Sequence, residues 1–183
     1  MTLRSDVAEL LAGAAILDDA LADEHVRSSA YQRVVSVTAA SRSRERDRVI
    51  VATILRDPDE MGSKTAVVAL VDRIAKRVTG PAEFRRWSAE LLPEIDQLTT
   101  EAYREFIRRR IHDWLFYLSV ADGHVPTPVE LAKVTYWMQR VLAEQSTSPE
   151  VLALLAGSGC GKKIRNIAKD RVMSHSQAAR ITL

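Results

Sequence analysis

Apolar residues recur at spacings of three and four along most of the chain, the period of an amphipathic helix. Val7, Leu10, Leu11, Ala14, Leu17 and Leu21 place one helix over residues 6–22, with Ser5 or Asp6 positioned to cap its first amides. After the turn RDPDEMGS at 56–63, one face is held by Val67, Leu70, Val71, Ile74 and Val78. That helix stops at Thr79-Gly80-Pro81, where glycine terminates one helix and proline opens the next. The next helix is short, with Phe84, Trp87 and Leu91 on one side and Pro93 as its predicted limit. Tyr103, Phe106, Ile107, Ile111, Trp114, Leu115 and Leu118 mark a long helix over 100–120. The loop at 121–130 runs into a capping box formed by Thr127 and Glu130, with Pro128 in the first turn. It opens a helix predicted over 128–145, with Leu131, Val134, Met138, Val141 and Leu142 inward. Ser148-Pro149-Glu150 starts another, over 149–156.

Two stretches leave the period ambiguous. Val34, Val35, Val37 and Thr38 within 29–40, and VIVATIL within 47–56, are rich in β-branched residues. They read as two buried strands around the charged turn SRSRERD or as buried helix, which periodicity alone does not separate. Helix is the preferred reading, because no Gly, Asn-Gly or Pro punctuates the connection. The pattern therefore predicts an all-α protein: a compact bundle of six or seven helices with a basic C-terminal helical segment. The alternative is an α+β fold with two short strands within 30–55. Residues 1–156 are expected to form the helical core, 157–161 a glycine-rich hinge and 162–183 the basic segment.

Composition narrows the class without naming a function. A chain of 183 residues, 46% hydrophobic and 27% charged, can bury a core without disulfides or metal. Seven glycines and six prolines are few, which favours long helices over many short strands. The lone Cys160 cannot form an internal disulfide, and Met1–Asp6 does not resemble a secretory leader, so a cytoplasmic protein is expected. No apolar run approaches the roughly 20 residues that span a bilayer. Arginine outnumbers lysine 20 to 6, a bias typical of high-GC bacterial genomes.

Charge changes the picture more. Lys162, Lys163, Arg165, Lys169, Arg171 and Arg180 against Asp170 give residues 162–183 a charge of +5. The whole-chain charge of +2 then leaves −3 for residues 1–161. A split of this kind points to an acidic partner, nucleic acid first among them.

The stretch LLAGSGCGKKIRNIAKD at 154–170 contains Gly161-Lys162, which resembles the end of a phosphate-binding loop. Ala156 stands where the first glycine belongs, and Lys163 stands where the metal-binding hydroxyl belongs. A helix start at 148–150, rather than a strand, precedes the loop. Nucleotide binding is therefore not expected, and the glycines read as a helix terminator. The residues after it resemble a helix-turn-helix. A helix over Lys162–Arg171 would carry Ala168 as its small residue. A turn at Val172-Met173-Ser174 would lead into a second helix over His175–Leu183, with Ser174 as its cap. Val172 occupies the position usually held by glycine, and Arg171 one usually apolar.

Two further basic groups stand out. Arg104, Arg108, Arg109 and Arg110 lie on the long helix, where Arg104 and Arg108 share a face and Glu105 and Arg109 form an expected ion pair. Arg42, Arg44, Arg46 and Arg48 alternate with Glu45 and Asp47 and read as a solvated turn or helix face. Catalytic and metal chemistry is thinly represented. His25, His112, His124 and His175 form no ligand-spaced pair, and Glu105, His112 and Asp113 on one helix are the nearest thing to a carboxylate–histidine site. No metal or cofactor is expected, nor is enzymatic activity. Trp87 and Trp114 read as core. Tyr136 and Trp137 are adjacent, cannot both face inward, and mark a contact for a protein partner or a second copy of the chain. The stretch VADGHVPTPVEL at 120–131 resembles the acidic turn between helices in tellurite-resistance-type helical domains, over 12 of 183 residues.

These observations point to a non-enzymatic helical protein associated with nucleic acid, plausibly as a regulator. Lys162, Lys163, Arg165, Lys169, Arg171 and Arg180 would contact phosphates, joined by Arg104 and Arg108. The alternative is an adaptor or oligomerisation domain working through Tyr136 and Trp137.

Overall fold

A computed structural model describes the backbone of residues 24–181 and the side chains of residues 27–174. The helix predicted over 6–22 lies outside the described residues. Among those described there are nine helices and no strand. They are α1 (Glu24–Ala40), α2 (Asp47–Leu55), α3 (Glu60–Ala75), α4 (Pro81–Ile95), α5 (Glu101–Ala121), α6 (Pro128–Ala132), α7 (Tyr136–Gln145), α8 (Pro149–Ser158) and α9 (Lys162–Ile181). The protein is thus all-α, and both ambiguous stretches are helical. Val35, Val51 and Ile54 are buried, so their β-branched character serves packing. The chain forms two compact units, one up to Ile111 and one from His112.

In the first unit α1 packs on α3, and α2 packs on α3 and α4. The core is built by Val35, Ile54, Val67, Leu70, Phe84, Leu91, Ile95 and Ile107. Two buried carboxylates tie it together. The Tyr31 hydroxyl donates to Asp57 at 2.6 Å, and Arg27 pairs with the same carboxylate at 3.2 Å. Burial, reinforced by Asp57, holds the Tyr31 hydroxyl far above its ordinary pKa. The Trp87 indole N–H donates to Asp47 at 2.9 Å, and Arg44 pairs with it at 3.0 Å. Burial pushes the Asp47 carboxyl up, against the opposing pull of Trp87 and Arg44. The cap of α5 comes from another helix. Glu60, in the first turn of α3, accepts from the N–H and hydroxyl of Thr99 at 2.6 Å and from the N–H of Thr100 at 3.0 Å.

Pro93 does not end α4, which continues to Ile95. Pro93 lacks the N–H that would bond the Ala89 carbonyl, and the helix runs two residues beyond it to the fully buried Ile95.

In the second unit, α9 packs on α8 and α7, α7 on α8, and α6 on α8. Leu131, Met138, Leu142, Leu152, Leu155, Ile164 and Ala168 are fully buried. The capping box forms as read: the Glu130 N–H donates to the Thr127 hydroxyl at 3.2 Å, and the Glu130 carboxylate accepts from the Thr127 N–H at 2.7 Å. The single helix predicted over 128–145 is, however, two. Asp113 on α5 is buried and accepts from both the N–H and the hydroxyl of Thr135, the N–H at 3.1 Å. That carboxylate pins Thr135 in an extended conformation, where its own oxygen caps α7 by accepting from the Met138 N–H at 3.3 Å. Gly123 takes a φ of 100° in the turn after α5, a conformation that favours glycine. No described helix is long and apolar enough to cross a membrane.

Hydrogen bonds from Thr99 and Thr100 hold the Glu60 carboxyl down to about 2, below its ordinary 4.5. A depressed folded value makes its contribution complete above the unfolded value and lost as pH falls through the folded one. The stability gap between wild type and Glu60→Gln, read from urea midpoints, should therefore be widest at neutral pH and close as pH falls from 4.5 toward 2. A gap independent of pH would contradict the cap.

Candidate nucleic-acid interface

The structure explains the glycines of the GCGK stretch by packing. The Gly159 N–H bonds the Leu155 carbonyl at 2.9 Å, closing α8, and the chain then leaves in an extended conformation. A Cβ on Gly159 would lie 2.6 Å from the Leu155 carbonyl oxygen and 2.9 Å from Ile164. A Cβ on Gly161 would lie 3.0 Å from the Tyr136 ring. Between them the Cys160 N–H donates to Gln139 at 2.9 Å. Gln139 is buried, and its amide nitrogen donates to the carbonyls of Leu131 at 2.9 Å and Val134 at 3.1 Å. One side chain therefore joins the end of α6, the body of α7 and the turn into α9.

The resemblance to a helix-turn-helix is not carried by this geometry. α9 is one helix from Lys162 to Ile181, with no turn at Val172–Ser174. The Ser174 hydroxyl bonds back to the Asp170 carbonyl at 2.9 Å and caps nothing. A turn there needs a residue tolerant of positive φ, and the β-branched Val172 is not one.

The basic candidates separate into two kinds. Arg165 donates to the Gly159 carbonyl at 2.7 Å, and Arg171 to the Ala143 carbonyl at 3.2 Å, each neutralising a helix C-terminus. Arg104 bonds the carbonyls of Leu98 and Thr99. Arg108 pairs with Glu105 at 2.5 Å and Asp96 at 2.6 Å. The expected Glu105–Arg109 pair gives way to Glu105–Arg108. Lys162, Lys163 and Lys169 are different. They are exposed and have no ion-pair or hydrogen-bond partner among the described residues. Lys162 and Lys163 stand in the first turn of α9, which holds no acidic residue, so they oppose the helix dipole rather than complement it. The side chain of Arg180 lies outside the described residues. Arg104 and Arg108 belong to the first unit and the three lysines to the second.

Tyr136 and Trp137 are 49% and 36% exposed, so both rings stay partly in solvent. Trp137 meets Trp114 edge-on at 5.8 Å, and the Tyr136 ring edge covers Gly161. Trp87 and Trp114 are buried, as read. His112 is exposed, while the neighbouring Asp113 is committed to Thr135, so the two share no site. His124 approaches Glu130 at 3.3 Å, and among the described residues no three metal-ligating side chains gather. Comparison with known protein families, with curated proteins and with solved structures finds no match.

Sequence reading passed over Gln139. Its burial in an otherwise periodic helix is a tertiary property with no local mark. Gln139→Leu removes all three hydrogen bonds: the Val134 carbonyl and the Cys160 N–H lose the side chain that pairs them, while the Leu131 carbonyl keeps the Val134 N–H at 3.1 Å. Unfolding stability should fall by about 2 kcal/mol or more in urea denaturation. A loss near zero would mean that the amide is not the tie between α6, α7 and α9.

Proposed function

We propose that the protein associates with nucleic acid through the second unit, with Lys162, Lys163 and Lys169 as the phosphate-contacting group and Tyr136 beside them. The observation that carries this reading is the apposition of Tyr136 and Gly161. It sets a half-exposed aromatic ring against the residue that precedes Lys162 and Lys163, two exposed lysines without a partner among the described residues. Cations tracking the backbone beside an aromatic ring on which a base can stack are the recurring elements of non-sequence-specific nucleic-acid binding. Placing lysines at a helix N-terminus works against the dipole, a cost that a bound polyanion offsets. Arg165, Arg171, Arg104 and Arg108 are left to structural work by this reading, and a regulatory role would build on the same contacts.

A second reading has its own support. Tyr136 and Trp137 also form an exposed aromatic pair suited to a protein partner or a second copy of the chain.

Fluorescence anisotropy of a labelled mixed-sequence single strand and duplex separates the two readings. The variant Lys162→Gln/Lys163→Gln/Lys169→Gln should lose binding, and the slope of log affinity against log salt should shrink by about 0.7–0.9 for each lysine removed. Binding equal to wild type in the triple variant, or none by wild type at low salt, overturns the proposal. A mass that rises with concentration regardless of salt would then favour the aromatic pair.

A further inference from the structure

A cleft of about 330 Å3 opens in the first unit at the C-terminal end of α1. Three arginines line it: Arg42 and Arg44 from the α1–α2 connection, and Arg77 from just beyond α3. Val78, half-buried, gives it a small apolar wall, backed by the buried Ala39 and Ile74. The cationic surplus is not visible in a charge count over residues 1–161. Residues 1–26 carry one basic and six acidic residues, while residues 27–111 carry 17 basic and 12 acidic.

Two of the guanidinium groups are held in place. Arg44 pairs with Asp47 at 3.0 Å and donates to the Thr38 carbonyl at 2.9 Å, and Arg77 donates to the Ala39 carbonyl at 2.6 Å. Each guanidinium has five N–H donors, so both retain donors after these bonds, and fixed donors lose little freedom when a ligand binds. Capping the last carbonyls of α1 accounts for Arg44 and Arg77. It does not account for Arg42, which is exposed and has no acceptor among the described residues. The lining carboxylate, Glu83, is ionised and offsets part of the charge of Arg44, which leaves Arg42 and Arg77 as the surplus. It is turned to Thr79, accepting from its N–H and its hydroxyl at 2.8 Å each. These bonds hold its carboxyl below the usual range.

We infer that this cleft binds a small organic anion. Its phosphate or carboxylate would lie against Arg42 and Arg77, and its apolar body against Val78. Guanidinium forks match the paired oxygens of both acid groups, and the apolar wall selects against a bare inorganic ion. The site is independent of the lysine group in the second unit.

Isothermal titration of the full chain with phenyl phosphate, benzoate and inorganic phosphate tests it. The expected result is that phenyl phosphate or benzoate binds more tightly than inorganic phosphate, and whichever of the two is tighter identifies the acid group. Arg42→Ala should weaken that binding by about tenfold, the loss of one charge-assisted contact. Arg42 has no acceptor among the described residues, so the variant should keep wild-type helicity by circular dichroism. Arg46→Ala, an exposed arginine outside the cleft, should bind as wild type does. Absence of heat with all three probes at millimolar ligand, equal binding by Arg42→Ala and wild type, or equal losses in Arg42→Ala and Arg46→Ala would overturn the assignment.

Discussion

The second unit depends on one buried amide. Gln139 satisfies the carbonyls of Leu131 and Val134 with its nitrogen and the N–H of Cys160 with its oxygen. The Leu131 carbonyl already accepts from the Val134 N–H at 3.1 Å, and Gln139 adds a second bond there while pairing the Val134 carbonyl and the Cys160 N–H. A backbone group left unpaired away from water costs on the order of 1–3 kcal/mol. One side chain serves all three groups. With the turn fixed, Gly159 and Gly161 allow the backbone to pass close to Leu155 and under Tyr136, and Ile164 and Ala168 enter the core. That seat sets the Tyr136 ring against Gly161, the residue before Lys162 and Lys163.

A similar logic runs through the first unit, with carboxylates in place of the amide. Asp47, Asp57 and Glu60 each hold groups far away in sequence: Trp87, Tyr31, and the amides that open α5. Among the described residues no buried side-chain polar atom lacks a partner. The buried Asp47, Asp57, Asp113 and Gln139 are joints between segments far apart in sequence. Arginine does the complementary work at helix C-termini, where Arg77, Arg165 and Arg171 each bond a terminal carbonyl. The high arginine content is thus largely spoken for by the fold, and the residues left over are the informative ones.

What was legible in the sequence was local. The period of apolar positions located the helices, and Thr127, Ser148 and the Gly80-Pro81 step marked their ends, because caps and breakers act over three or four residues. The departure of Val172 from glycine was a sufficient sign against a turn, since a β-branched residue extends a helix more readily than it adopts positive φ. What was not legible was long-range. The break at Thr135 is imposed by Asp113, 22 residues away, and nothing near Thr135 announces it. The division of basic residues into those bound to carbonyls and those left in solvent likewise depends on partners that a charge count cannot see. The −3 assigned to residues 1–161 concealed an arginine-lined cleft for the same reason.

The central claim is that the lysine face of α9 and the Tyr136 ring act as one surface. An amide NMR titration of the full chain with an unlabelled single-stranded oligonucleotide tests it most directly. The account predicts shifts concentrated at Gly161, Lys162, Lys163, Lys169 and Tyr136, with the buried amides of the first unit unmoved. Shifts confined to the first unit, or none at all, would contradict it.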